Sequence, residues 1–132
     1  LQAGRCYTAA DYRDALELRD LFNREFQNVF SSVDVVATPT TPITAPRLGE
    51  TIVLWKDGLE MVGAALTRFT RPFNITGGPA ITVPCGFSGN GMPIGLQIAG
   101  SPYNDRMVLA VAQHYEQATP WSAKRPVLES GN

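Results

Sequence analysis

The chain has 132 residues, 44% of them hydrophobic and 17% charged, which is apolar enough for one folded domain and too weakly charged for a disordered tail. Eleven Lys and Arg against twelve Asp and Glu give a net charge of −1 with no basic run and no acidic tail, so the electrostatic footprint of a nucleic-acid or membrane-surface binder is missing. No stretch approaches the roughly 18 to 20 consecutive apolar residues of a membrane-spanning helix, and no basic start precedes an apolar signal-peptide core, so the expected compartment is the cytoplasm.

Thr8, with Asp11 three residues on, has the spacing of a capping box and opens a helix. Ala15, Leu18, Phe22, Phe26 and Val29 recur at helical steps, while Arg13, Glu17, Asp20, Arg24 and Gln27 take the opposite face; one face is expected to be buried, and Asp20 with Arg24 to pair on the surface. Asp34 leads into Val35-Val36-Ala37, a short buried strand. From Thr38 to Pro46 three prolines remove backbone donors and fix φ, which predicts an extended loop.

Asp57 is expected to cap a second helix whose stripe is Leu59, Val62, Leu66 and Phe69, ended at Arg71-Pro72 because a residue before proline is pushed out of the helical region. Residues 70–79 then read as a loop rich in hydrogen-bonding groups, closing on Gly77-Gly78-Pro79. Ala80–Pro84 and Ile94–Ala99 read as two strands of a hairpin, joined through the Gly89-Asn90-Gly91 turn. Asn104 or Asp105 starts a helix with Val108, Val111, Ala112 and Tyr115 inward, finished by Pro120, and an irregular tail follows from Trp121. Interleaved helices and strands predict an α/β fold with a small mixed sheet flanked by helices, and three short strands leave two open sheet edges.

Chemistry-bearing residues are few. Cys6, Cys85 and His114 are widely separated and lack metal-ligand spacing, so no cofactor or metal is expected. Ser31-Ser32 reads as a helix end, Ser88 and Ser101 as turn residues, and Lys56 and Lys124 as solvated. Gly77-Gly78 is no phosphate loop, because no Lys-Ser or Lys-Thr follows. What remains is the segment around Thr70 to Pro79. Loops held at element ends gather binding residues, whereas the plainer reading gives Arg71 a structural ion pair and lets Asn74 and Thr76 bond the backbone.

Those residues carry a resemblance. Asp34 to Thr40 with Ala45-Pro46, then Phe69 to Phe87 with its run Thr70-Arg71-Pro72-Phe73-Asn74-Ile75-Thr76-Gly77-Gly78-Pro79, then Gly91 to Gly100, together resemble the C-terminal part of amidase-signature hydrolases, over nearly the whole chain. The resemblance implies one large α/β domain that hydrolyses carboxylic amide C–N bonds without a metal, using a Ser, cis-Ser, Lys triad and an acyl-enzyme. It also implies that this triad lies outside the present residues, so residues 1–132, which begin without Met, are expected to be a C-terminal segment, inactive alone and paired with the missing N-terminal part of its own chain, with self-association when isolated.

The substrate wall implied by the resemblance is Thr67, Thr70, Arg71, Phe73, Asn74 and Thr76, facing a small amide. Glutaminase subunits of tRNA-dependent amidotransferases carry an acid a few residues before the Asn-x-x-Gly-x-Pro motif, where Thr67 stands here, which turns the expectation away from glutamine. Gly78 also replaces a common Leu. Two alternatives stand beside this reading: a glutaminase component of that amidotransferase kind, and a noncatalytic module that pairs its open strand edges.

Overall fold

A computed structural model describes residues 3–125 of the protein. The first long helix, α1 (Ala9–Val29), starts as expected: the Thr8 side chain accepts from the Asp11 N–H at 3.2 Å, and the Asp11 carboxylate accepts from the Thr8 N–H at 2.7 Å. Bonds from the Thr8 hydroxyl and backbone hold the Asp11 carboxyl below the ordinary aspartate range. A carboxylate depressed in the folded state stabilises above its unfolded pKa, so this contribution is lost as pH falls through the lowered value.

The apolar stripe of α1 departs from expectation. None of its residues is buried, and Leu18 remains 66% exposed and Leu21 49%. Only Phe26, near the C-terminal end, finds an aromatic partner outside the helix, packing edge-on against Phe73 at 5.6 Å between ring centroids. Most of the stripe has nothing to meet within the described residues. Asp20 also pairs with its neighbour Arg19 at 3.6 Å rather than with Arg24; both are exposed, where such pairs contribute little and one partner is readily exchanged for another.

The strand expected at Val35–Ala37 extends through the first proline, as β1 (Val35–Pro39). It is an edge strand, and Pro39 ends it, where a missing N–H costs no central ladder bond. Residues 57–61 correct the expected second helix. They belong to a hairpin of β2 (Ile52–Trp55) and β3 (Gly58–Met61), in which Leu54 pairs with Leu59 and Trp55 with Gly58. Asp57 is in the two-residue loop Lys56-Asp57 and caps nothing; the chain re-enters the ladder at Gly58, whose φ of 145° a residue with a side chain rarely adopts. Helix α2 is therefore short (Val62–Thr67) and starts after Met61 with no side-chain cap.

A second correction follows at Arg71-Pro72. Residues 71–76, expected as loop, form helix α3 (Arg71–Thr76), and Pro72 belongs to its first turn, where no intrahelical N–H is lost. Gly77 closes it in the left-handed conformation, φ 70°, with its N–H donating to the Phe73 carbonyl at 2.9 Å.

The hairpin of β4 (Ala80–Phe87) and β5 (Pro93–Gly100) forms as expected, longer at the turn end, with an irregularity between Pro84 and Gly86. The sheet order is β1-β5-β4, antiparallel at both joints, so β5 is central and the two anticipated edges lie on β1 and β4. Helix α4 (Asp105–Ala118) covers one face and, with the sheet, buries Val83, Ile98, Val108 and Ala112, flanked by Val35, Ile81, Leu96, Val111 and Tyr115. The start of the tail is ordered too: Trp121–Ala123 is one 3-10 turn, its indole near the Phe87 ring at 6.3 Å. Residues 126–132 of the expected irregular tail lie outside the described residues. No helix among the described residues is long and apolar enough to cross a membrane.

Candidate functional site

Helices α2 and α3 and the turn between them carry all six residues singled out from the sequence. Thr67 ends α2; its hydroxyl donates back to the Gly63 carbonyl at 3.0 Å and accepts from the Arg71 guanidinium at 2.8 Å. Thr70 precedes α3 and bonds the Thr67 carbonyl at 3.4 Å, and Thr76 bonds the Phe73 carbonyl at 3.4 Å. Phe73 is buried, its ring locked against Phe26 of α1, a pair of the kind that adds about 0.5–1.5 kcal/mol beyond area burial. Arg71 and Asn74 are exposed, three residues apart on α3, and Asn74 has no side-chain hydrogen bond among the described residues. Nor does Arg71 meet an acid there, so the structural ion pair of the plainer reading is absent. A guanidinium and a carboxamide offer several N–H donors on one short helix, matched to a carbonyl or carboxylate oxygen.

Two supports behind this surface are not legible from the sequence. Glu60 of β3 accepts from the Trp55 indole N–H at 2.8 Å and from Arg68 at 2.6 Å, while the Arg68 guanidinium lies 5.2 Å from the Trp55 ring centroid. The β2–β3 hairpin is thereby tied to the turn after α2. Gln97 of β5, 3% exposed, donates from Nε2 to the Phe69 carbonyl and to the Thr38 hydroxyl, each at 3.0 Å. A lone amide inside the apolar run Ile94 to Ala99 is the available signal, since a buried carboxamide needs partners.

Gly78 acquires a physical reason: a Cβ there would lie 2.8 Å from the Gly100 carbonyl oxygen, so the start of β4 runs too close to the end of β5 for a side chain. Ser31, Ser32 and Ser88 take the roles expected of them. Ser31 and Ser32 bond the Asn28 and Val29 carbonyls at the end of α1, and Ser88 bonds Met92 within its turn. Lys56 is exposed at the hairpin turn, Lys124 lies over the Phe87 and Trp121 rings, and no serine hydroxyl hydrogen-bonds a lysine among the described residues. His114 bonds the Ala110 carbonyl of its own helix, and among the described residues no three His, Cys, Asp or Glu side chains gather as a metal site.

Comparison with known proteins bears on this arrangement. The model of the family described as Amidase matches residues 2–109. The A subunit of glutamyl-tRNA(Gln) amidotransferase from Thermodesulfovibrio yellowstonii is 42% identical over 128 residues, which cover 97% of this chain and 25% of that protein. Among solved structures, an amidase superposes with a TM-score of 0.84 at 33% identity, over 89% of this chain and 27% of its own. The 6-aminohexanoate cyclic dimer hydrolase in complex with substrate superposes with a TM-score of 0.79 at 29% identity, over 93% and 27%. The chain spans about a quarter of the length of the curated relatives it matches.

Proposed function

The chain belongs to the amidase family, and from that premise we propose that residues 1–132 are the C-terminal segment of one amidase domain that hydrolyses carboxylic amide C–N bonds through a Ser, cis-Ser, Lys acyl-enzyme. The nucleophile and base then come from the part of the domain outside these residues, which the quarter-length match to the relatives supports. This segment contributes sheet and one wall of the substrate pocket. The observation that carries the wall is the pair of exposed donors, Arg71 and Asn74, on a helix whose far side is anchored through Phe73 to α1. Thr67 and Thr70 brace Arg71 and its turn, Thr76 bonds back to the Phe73 carbonyl in the last turn of α3, and a small amide lies against the exposed side. Free Cys6 and Cys85 fit a reducing, cytoplasmic setting.

A second reading is supported by the name of the curated relatives: the glutaminase component of a tRNA-dependent amidotransferase, working with partner subunits. Against it stands Thr67, which offers a neutral hydroxyl already engaged by Arg71 where an acid would hold the amine of glutamine. A glutaminase assay of the complete protein with and without amidotransferase partner subunits separates the two.

The wall itself is tested by Arg71→Ala in the complete protein. Removing a charged donor from bound substrate should lower kcat/KM about tenfold, mainly through KM, with little movement of the unfolding midpoint. Equal losses of stability and activity would make Arg71 a structural residue.

A further inference from the structure

Gln97 is the only buried polar residue among the described residues, and it occupies the central strand of the sheet. Its backbone is held on both sides, opposite Thr38 of β1 and Thr82 of β4. Both N–H groups of the carboxamide are spent: one on the Thr38 hydroxyl across the register, the other on the Phe69 carbonyl, each at 3.0 Å. A carbonyl can only accept, so the amide nitrogen must face Phe69 and the orientation of the side chain is fixed. Phe69 lies in the turn between α2 and α3, one residue before Thr70 and two before Arg71. This bond therefore joins the central strand, paired along both edges, to the base of the segment bearing Arg71 and Asn74.

We propose that Gln97 is a positioning residue for the substrate wall, fixing through the Phe69 carbonyl where α3 presents Arg71 and Asn74; this rests on the reading of α3 as that wall. A second polar bridge on the same sheet gives the comparison. Thr40 and Thr82 hydroxyls meet at 3.1 Å across Gly95, where a Cβ would lie 2.7 Å from atoms of both threonines, and neither hydroxyl bonds the 67–76 segment. This bridge ties only β4 to the residues that follow β1.

The test compares Gln97→Met, which keeps length and loses both donors, with Thr82→Val, each in the complete protein. Gln97→Met should raise KM for the amide substrate about tenfold at nearly constant kcat, as expected for loss of a binding contact, and should speed hydrogen exchange at the Asn74 and Gly77 amides of α3. Thr82→Val should leave KM and those amides unchanged. If Gln97→Met does not fold, Gln97→Asn, one methylene too short to reach both acceptors, should give the same pattern. Unchanged KM and unchanged α3 exchange in the Gln97 variant, with Arg71→Ala still raising KM, would overturn the positioning role alone. An equal rise in KM with Thr82→Val would overturn it in favour of general sheet integrity. Arg71→Ala without effect would remove the wall, and the role of Gln97 with it.

Discussion

Ile98→Ala should destabilise the chain by about 2–5 kcal/mol, the range for deleting most of a buried aliphatic side chain and leaving a cavity. Ile98 is 2% exposed on the central strand and packs with Val83, Val108 and Ala112 in the cluster that joins sheet to α4. That cluster is small, so the surroundings have few other residues with which to fill the gap. Because folded domains are stable by only about 5–15 kcal/mol, such a loss is a large fraction of the whole. A urea titration followed by circular dichroism measures it. Val35→Ala, at the half-buried rim of the same cluster, should cost clearly less. If Ile98→Ala cost no more than Val35→Ala, the core would lie elsewhere than between β5 and α4.

The second large effect concerns α1. Its apolar side, with Leu18, Leu21 and Phe22 exposed and Ile75 of α3 beside them, forms a groove lined almost entirely by hydrocarbon. Covering a leucine fully is favourable by roughly 1.5–3 kcal/mol, so several such residues on one helix give a strong drive to association. The isolated chain should therefore sediment as self-associated species at micromolar concentration. Leu18→Glu together with Leu21→Lys should convert it to monomer while keeping its helix content, because neither side chain is buried within the chain. In the complete protein the same pair should sharply reduce soluble yield, since the stripe then meets the remainder of the domain. A monodisperse wild-type monomer would mean that the stripe has no strong tendency to be covered.

The parts of the fold legible in sequence are those whose signals are local and unopposed. Thr8 and Asp11 supply a complete cap, α4 has a clean inward stripe, and the β4–β5 hairpin runs around a glycine-rich turn. Sequence and structure part where one residue supports two opposite signals. Asp57 suits a helix cap or a tight reversal equally, and the cross-strand pairing of Leu54 with Leu59 selects the reversal, with Lys56-Asp57 as its loop. Pro72 ends a helix that approaches from before and suits the first turn of one that begins there; the second role holds because Gly77 closes α3 five residues later. The α1 stripe has the pattern of a face made for contact, yet most of it meets no partner among the described residues.

The candidate site divides in the same way. Thr70, Arg71, Asn74 and Thr76 stand out because polar residues crowd one short segment, Thr67 enters only through the resemblance, and the segment proves to be largely helical. Gln97, Glu60 and Arg68 do not stand out, because their importance lies in what they touch: a carbonyl 28 residues away, an indole across a hairpin, a turn after a helix. Sequence spacing does not reveal such pairings. The close approach of Gly78 to Gly100 is likewise a property of two chain segments brought together by the sheet.

Amide hydrolysis decides whether the nucleophile lies outside these residues. A panel of small primary amides and anilides, offered separately to the complete protein and to the 132-residue chain, should be turned over by the complete protein alone. Hydrolysis by the isolated chain would overturn this reading, because the nucleophile would then lie within these 132 residues, although among the described residues no serine hydroxyl is paired with a lysine or histidine.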